Sequence, residues 1–249
     1  AYTTIKKPSD YFNTKLYTGN ESTRSETGVG FQPDFTWIKV RSRADPHILT
    51  DAVRGTSSQL SSDTTGAQQT FSNMITSFDS DGFSLGANVD VNRNSETFAS
   101  WNWLGANGTA SNTDGDVTST VSVNTTSGFS IVKWDSTGTA GINIGHGLGQ
   151  KPAMIIAKST NITVTNWAVY HQSLGATKYL TLNATTASTT SATRWNNSEP
   201  TTTTFQTGSS GDIGGSDRTM IAYCFAEKTG YSKFGSYTGN GNADGPFIY

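Results

Sequence analysis

The sequence is poor in cysteine, in charge and in long apolar runs. Its single cysteine, Cys224, excludes an intrachain disulfide framework and a cysteine-based zinc site. Because Cys224 lies inside the apolar run 220–225, we expect a buried and inert thiol. No run approaches the roughly 18 apolar residues of a membrane-spanning helix, and the N-terminus lacks the apolar segment of a secretory signal. Insertion into a membrane is therefore not expected.

Charge is also scarce, and its balance excludes one class of partner. Charged residues make up 14% of the chain and the net charge is −2. The local basic spots, Lys6-Lys7 and Arg41 with Arg43, are typical of ordinary solvated surface. No basic stripe is available to contact phosphates, so the sequence does not predict binding to nucleic acid or to an anionic membrane.

What is present favours strands. Hydrophobic residues are only 33% of the chain, but aromatics reach 11% and Gly numbers 26. Aromatic and β-branched residues favour strands, while Gly, Asn and Asp favour turns. No window sustains a 3.6-residue period over three turns, so long helices are not expected. The sequence predicts an all-β protein of the β-sandwich or jelly-roll type.

The chain repeats its landmarks about 120 residues apart. Four patterns recur in the same order: Pro33–Lys39 with Pro152–Lys158, His47–Gly55 with Trp167–Gly175, Thr76-x-Phe78 with Thr203-x-Phe205, and Ala99–Trp103 with Ile221–Phe225. This repetition predicts two tandem, related β-sandwich units. We place an N-terminal arm at 1–13, the first unit at 14–127 and the second at 128–229. Residues 230–249 are then closing strands or the start of a further repeat.

The titratable residues do not form a recognisable catalytic or metal motif. His47, His146 and His171 are scattered, and no nucleophile elbow or phosphate loop occurs. The carboxylates that could form a glycosidase pair are Asp79, Asp81, Glu96 and Glu199, and those that could bind Ca²⁺ are Asp79, Asp81, Asp114 and Asp116. Backbone hydrogen bonding in a tight turn explains Asp79 and Asp81 without either role. We therefore predict no catalytic residue, no cofactor and no metal.

The tryptophans are the better functional lead, because a sugar ring can stack on an aromatic surface. Trp37, Trp101 and Trp167 lie in apolar alternation, which favours the core. In contrast, Trp134 is followed by Asp135, and Trp195 is followed by two asparagines. We predict a glycan-stacking site at Trp134, Trp195, Asn196 and Asn197, with packing in a core or an interface as the alternative.

Several stretches carry a resemblance to a known family. They include AYTTIKKPSDYFNTKLYTGN, GFQPDFTWIKVRS, GHGLGQKPAMIIAKS and MIAYCFAEKTGYSKFGSYTGNGNADGPFIY. The chain resembles repetitive tail- and fibre-type structural proteins of marine bacteriophages, and its start resembles such an N-terminus without the initiator Met. The resemblance implies lectin-like (concanavalin-type) β-sandwich repeats in a virion component that commonly continues past this end. It supplies no catalytic residues.

These observations define the expected function. We expect a non-enzymatic bacteriophage virion protein of the tail-fibre or adhesin type, on the particle surface beside other virion proteins, contacting host surface glycans. Such a protein is assembled in the host cytoplasm and is then extracellular. We expect a homo-oligomer, with a trimer favoured, because the apolar end 246–249 needs cover. The alternatives are a head or tail decoration protein without a ligand, anchored by residues 1–13, and a polysaccharide-degrading enzyme.

Overall fold

The computed structural model describes residues 3–247, and strands form nearly all of the regular structure. The first nine strands are β1 (Phe12–Thr18), β2 (Arg24–Thr27), β3 (Phe35–Val40), β4 (Ile48–Asp51), β5 (Ser58–Ser61), β6 (Gln69–Thr70), β7 (Ile75–Asp79), β8 (Gly82–Leu85) and β9 (Thr97–Trp103). The others are β10 (Ala110–Asn112), β11 (Ser119–Asn124), β12 (Phe129–Ser136), β13 (Ile142–Gly145), β14 (Met154–Ser159), β15 (Ala168–His171), β16 (Lys178–Thr181), β17 (Thr189–Thr190), β18 (Thr204–Thr207) and β19 (Arg218–Phe225). The helical elements are short: α1 (Val89–Asn92), α2 (Ala192–Trp195) and a 3₁₀ turn at Pro8–Asp10. The predicted all-β class is confirmed.

The strands form four sheets. Sheet I has the order β1-β9-β3-β4-β5-β6, and sheet II has the order β10-β11-β12-β19-β14-β15-β16-β17. Sheet III is β2-β8-β7 and sheet IV is β13-β18. Neighbouring strands within each sheet run antiparallel. Antiparallel sheets packed in this way are consistent with a β-sandwich.

Three buried hydrophobic clusters hold the sheets together. One lies between sheets III and I, one between sheets I and II, and one between sheets II and IV. Strand β3 shows why sheet I contributes to two of them. Because successive side chains point to opposite faces of a strand, Ile38 and Val40 face sheet III, whereas Phe35 faces sheet II. The layers therefore follow the order III, I, II, IV.

Sheets I and II share a strand order and a register. The six strands β1-β9-β3-β4-β5-β6 correspond to β12-β19-β14-β15-β16-β17. The pair Phe35↔Trp103 in sheet I corresponds to the pair Met154↔Phe225 in sheet II. The pair Leu49↔Leu60 in sheet I corresponds to the pair Val169↔Leu180 in sheet II. We call residues that occupy the same place in the two registers matched positions.

One predicted landmark is corrected by the strand pairing. The sequence comparison aligned Phe78 with Phe205. In the structure, Glu26 pairs with Phe83 in sheet III as Ile144 pairs with Phe205 in sheet IV. Phe83, on β8, therefore takes the place of Phe205, and Phe78 belongs to the additional strand β7. The error arose because both strands of the β7–β8 hairpin carry a phenylalanine.

The sheets cross the unit boundaries drawn from the sequence. Strands β10 and β11 precede residue 128, yet they extend sheet II beside β12. Strand β1 begins at Phe12, inside the proposed arm 1–13, and Ile5 of that arm is buried. Sheets I and II also share one hydrophobic cluster, so they do not pack as separate sandwiches. The division of the chain into two tandem units stays a prediction.

The C-terminal segment adds little regular structure to the part of the chain that is described. An isolated bridge joins Lys228 to Ser232, and residues 235–247 contain no strand. Phe247 is 89% exposed, so the expected burial in a sheet does not occur at this residue. Ile248 and Tyr249 lie outside the described residues. Burial of the apolar end in an interface stays a prediction.

Candidate functional site

Sheet II covers only one half of the facing side of sheet I. Phe35, Leu49 and Leu60 of sheet I are at most 2% exposed in the shared cluster. The opposite half, formed by β1, β9 and the middle of β3, extends beyond this cover. There Trp37, Trp101 and Trp103 are only partly buried.

A buried polar network marks the covered half. The Nε of Arg54 donates to Oδ2 of Asp51 at 2.5 Å, and both side chains are almost completely buried. The hydroxyl of Tyr223, from sheet II, donates to the same Asp51 oxygen at 2.8 Å and accepts from Nη2 of Arg54 at 3.2 Å. Burial raises the pKa of Tyr223 well above its ordinary value. The network joins the two sheets.

The uncovered half carries four aromatic side chains, Trp37, His47, Trp101 and Trp103, which we call the tryptophan face. They line a shallow groove of about 290 Å³. The Nε1 of Trp37 donates to Nδ1 of His47 at 3.0 Å, with the two rings in a T-shaped arrangement 6.0 Å apart. Burial lowers the pKa of His47, so the imidazole is neutral near pH 7. Since Nδ1 accepts this hydrogen bond, the ring proton resides on Nε2 and is available to a ligand.

Strand geometry explains why these rings share one side. Trp101 and Trp103 are two residues apart on β9, and Trp37 lies directly opposite Trp101 on β3. Residues that alternate along a strand or face one another across a ladder project from the same side of a sheet. Thr14 on β1 is opposite Trp101, and Leu16, two residues further, is 58% exposed. The open surface therefore continues to the edge strand.

Three of the four matched positions in sheet II are fully covered, whereas the fourth, Phe225, is partly buried as Trp103 is. Trp37 and Trp101 match Ile156 and Tyr223, through the pairs Trp37↔Trp101 and Ile156↔Tyr223. His47, one residue before β4, matches Trp167, one residue before β15. In sheet II these three side chains are 6%, 1% and 0% exposed, because sheet I lies over them. The exposure of the tryptophan face is thus a difference in cover at equivalent places.

The predicted stacking residues do not form a surface site. Trp134 is 3% exposed and Trp195 is 1% exposed, and both belong to the cluster between sheets II and IV. No ring face is available to a sugar, which corrects the prediction made for these two tryptophans. Asn196 adopts a left-handed conformation (φ 51°) at the end of α2, and its Nδ2 donates to Oε1 of Gln206 at 2.9 Å. Asn197 is exposed, with no accessible ring beside it at Trp195.

The carboxylates considered for catalysis lie in structural contacts. Asp81 accepts hydrogen bonds from the backbone N–H groups of Gly28 and Gly30, which lower the pKa of its carboxyl. The other three carboxylates have separate partners: Asp79 accepts from Ser77 and Ser84, Glu96 from Ser42, and Glu199 from Tyr170, Lys151 and Ala176. Among residues 3–247, no three His, Cys, Asp or Glu side chains group as a metal site. These contacts give Asp79 and Asp81 structural roles that differ from the expected backbone bonding within their own turn, because Asp79 accepts from serine hydroxyls and Asp81 holds the distant loop 28–30.

The remaining chemically interesting groups are buried. Cys224 is a free, fully buried thiol whose pKa is raised by burial, as expected from its apolar run. His146 is also fully buried, and its Nδ1 accepts from the backbone N–H of Leu148 at 3.1 Å. Burial lowers the pKa of His146 to about 4, so this ring holds a turn as a neutral acceptor.

A second apolar cavity lies on the other side of Trp103. It encloses about 240 Å³ between the first residues of β1 and β12 and the segment 226–234. Aromatic rings line most of it, including Phe12, Phe129, Phe225, Tyr231 and Phe234. Its walls come from both ends of the chain, and Tyr11 packs edge-on against Tyr231. We interpret this cavity as imperfect packing where the arm meets the C-terminal segment.

Comparison with known proteins identifies a family for this chain. None of the helices in residues 3–247 is long and apolar enough to cross a membrane. No curated protein and no solved structure matches the chain. The family described as "Domain of unknown function (DUF7483)" matches residues 7–249, which is nearly the whole chain. The chain therefore belongs to the DUF7483 family.

Proposed function

We propose that this protein is a non-catalytic structural component of a bacteriophage virion, of the tail-fibre or adhesin type, that contacts host surface glycans through the tryptophan face. The resemblance to tail- and fibre-type proteins supports the virion assignment. The open aromatic groove supports the binding role. Head or tail location and the expected trimer are predictions that rest on the resemblance.

The partial exposure of Trp37, Trp101 and Trp103 on one side of sheet I is the observation that carries the proposal, although Trp37 and Trp103 also pack against the cluster between sheets I and II. Large aromatic side chains are normally withdrawn from water, and contiguous exposed ones mark interaction surfaces. The indole rings offer flat apolar faces for the C–H groups of a sugar, together with N–H donors at their edges. Nε2–H of His47 and the exposed hydroxyl of Thr14 add hydrogen-bonding groups beside the rings.

A purely structural role is the second candidate, and one feature of the groove favours it. Among residues 3–247, His47 is the only residue lining the groove that is not a tryptophan. Protein interfaces use aromatic residues in the same way, with few polar groups at their centre. In that case the face is covered by another virion protein, and the purified chain binds no glycan.

Glycan binding by the purified chain tests the proposal. We expect binding to bacterial surface polysaccharides on an array, confirmed by titration calorimetry. Replacing Trp37 and Trp101 by Ala together should weaken binding at least about 100-fold, the loss of two stacked rings. Tyr237→Ala is the matched control, because Tyr237 is an aromatic residue, 67% exposed, that lies outside the face. Binding that survives the double substitution contradicts the proposal.

Two further measurements separate the alternatives. Mass spectrometry and antibody labelling of purified particles should detect the protein at the virion surface, and its absence from particles rejects the virion assignment. Reducing sugar released from host envelope polysaccharide by the purified chain would favour the enzyme alternative. We expect no release.

A further inference from the structure

Strand β1 forms an open edge of sheet I. It pairs with β9 along its whole length, from Phe12↔Trp103 to Thr18↔Thr97. Among residues 3–247, no strand pairs with its other side. An open edge presents a row of backbone donors and acceptors that can accept a further strand.

The matched edge in sheet II is occupied. Strand β12 corresponds to β1 and pairs with β19 on one side and with β11 on the other. The β11 pairing runs from Asn124↔Phe129 to Thr120↔Lys133. On β1 the positions that match this stretch are 12–16. The fold therefore accommodates a strand at the place that β1 leaves open.

Strand β1 has few of the devices that usually protect an edge. Its sequence, FNTKLYT, contains no proline, its pairing with β9 shows no register shift, and Lys15 is its one protecting charge. Leu16 is apolar and 58% exposed. At the far end, Nη1 of Arg24 donates to the carbonyl of Thr18 at 2.5 Å, which closes that end of the edge. The accessible part is thus again 12–16.

The backbone of Thr14 indicates which groups of β1 face outward. Its N–H donates to the side-chain Oδ1 of its neighbour Asn13 at 3.0 Å, an exposed hydrogen bond that a pairing strand would replace. In an antiparallel ladder, alternate residues direct their N–H and C=O groups to opposite sides of the strand. The backbone groups of Thr14 and Leu16 therefore face outward, away from β9.

From these features we infer that β1 pairs with β1 of a second copy of the chain, antiparallel across a twofold axis at Thr14. In this register Phe12 lies opposite the second Leu16, and Asn13 lies opposite the second Lys15. The exposed Leu16 then contacts an aromatic ring, and the lysines avoid facing one another, as they would with the axis at Lys15. The contact is isologous and self-complementary.

The pairing joins the open faces of two molecules. It makes one continuous sheet from the two copies of sheet I, with both tryptophan faces on the same side. Only a short edge is buried, so we expect a reversible dimer with a dissociation constant on the order of 10 µM. The inference does not depend on glycan binding, because the rings of Trp37 and Trp101 stay open in the dimer.

Sedimentation equilibrium over roughly 1–300 µM tests the dimer. We expect Leu16→Lys to weaken association at least about tenfold, because it places a charge against Phe12 of the partner copy. Val164→Lys should leave association unchanged, since Val164 is 81% exposed but lies far from β1 in the chain. Thr14→Pro should abolish association while the circular dichroism stays native, because an edge strand tolerates proline where the N–H faces outward.

Cross-linking tests the register. In the proposed dimer the two Thr14 residues face each other across the axis, so Thr14→Cys should form an intermolecular disulfide on mild oxidation. Thr18→Cys, also on β1, has no second Thr18 opposite it and should not form an intermolecular disulfide. The native Cys224 is buried, so it should not interfere with either variant. A monomer at the highest concentration would overturn the inference, and so would an oligomer, including the expected trimer, in which position 14 does not cross-link. Equal cross-linking at positions 14 and 18, or none at position 14, would do so as well.

Discussion

The facing sides of sheets I and II are built on the same strand order and register, yet one is covered and the other is partly open. In sheet II, Ile156 and Tyr223 lie beneath sheet I. In sheet I, the matched Trp37 and Trp101 border a groove open to solvent. The pattern of alternating residues defines the inner side of a sheet in both cases. The placement of the neighbouring sheet decides whether that side becomes a core or stays partly open.

The residue types at matched positions follow this difference. Where sheet II is covered, Ile131 and Ile156 fill the contact with sheet I. At the matched places in sheet I stand Thr14 and Trp37, which can both form hydrogen bonds at an open surface. An isoleucine has no polar atom in its side chain. At these two positions the open side thus combines apolar area with groups that can form hydrogen bonds.

The largest effect is expected from the network that exists only on the covered half. Arg54→Met leaves the carboxylate of Asp51 buried without its cation, which should lower the free energy of unfolding by about 3–5 kcal/mol. Chemical denaturation measures this loss. The residues of sheet II that match Asp51 and Arg54 by the register of β15 are His171 and Leu174, which cannot form the same ion pair.

The control for this variant is a partly exposed ion pair in the loop between β3 and β4. Arg43 lies 3.3 Å from Asp45 and its side chain is 47% exposed, so Arg43→Met should cost at most about 1 kcal/mol. Similar losses for the two variants would show that the buried network does not join the sheets.

A pH effect of intermediate size is expected from the turns that precede β3 and β14. In the first turn, the carboxylate of Asp81 holds the N–H groups of Gly28 and Gly30. In the second, buried His146 holds the N–H of Leu148. Its pKa is about 4 in the fold and 6.5 in the unfolded chain. Between these values only the unfolded chain binds the proton, so stability rises with pH and is lost as the pH falls.

His146→Gln should remove this part of the pH dependence. The pKa difference corresponds to a change in the free energy of unfolding of about 3 kcal/mol between pH 6.5 and 4. The comparison is made on unfolding curves of both proteins across that range, since carboxylates such as Asp81 contribute to both alike. Parallel curves for the two proteins would contradict a neutral, buried His146.

The smallest effect is expected at the open edge. Leu16→Lys should change the free energy of unfolding by less than about 0.5 kcal/mol when measured on the dilute monomer, because the leucine is largely exposed already. The same substitution should clearly weaken association. A large loss of monomer stability would show that Leu16 is part of the core and would count against an open edge.

Much of the fold could be predicted from the sequence, because strand formation depends on local pattern. The all-β class follows from composition and alternation, and three of the four repeated landmarks occupy matched positions in the sheets. The fourth was misplaced, since Phe78 and Phe83 lie on the two strands of one hairpin. The layer order could not be predicted, because it depends on which sheet packs on which. For the same reason, the sequence did not show that β11 pairs with β12 in sheet II.

The two tryptophans predicted to stack on a sugar are buried, for a related reason. Trp37 and Trp101 alternate with apolar residues, which indicates an inner side but not whether another sheet lies over it. Trp134 and Trp195 precede polar residues, which suggested exposure. The ring of Trp195 instead points into the core from α2, while Asn196 ends that helix in a left-handed conformation. The polar residues that follow these tryptophans mark places where the chain turns. They do not indicate that the adjacent rings are exposed.

The matched pair Tyr223 and Trp101 tests the central claim most directly. The free energy of unfolding of Tyr223→Ala and Trp101→Ala is measured under the same conditions. Tyr223 stacks 4.1 Å from Phe35 beneath sheet I, so its loss should cost about 3–5 kcal/mol. Trp101 is partly exposed, so its loss should cost about 1 kcal/mol. A difference of at least about 2 kcal/mol confirms one covered and one open face; equal losses would contradict it.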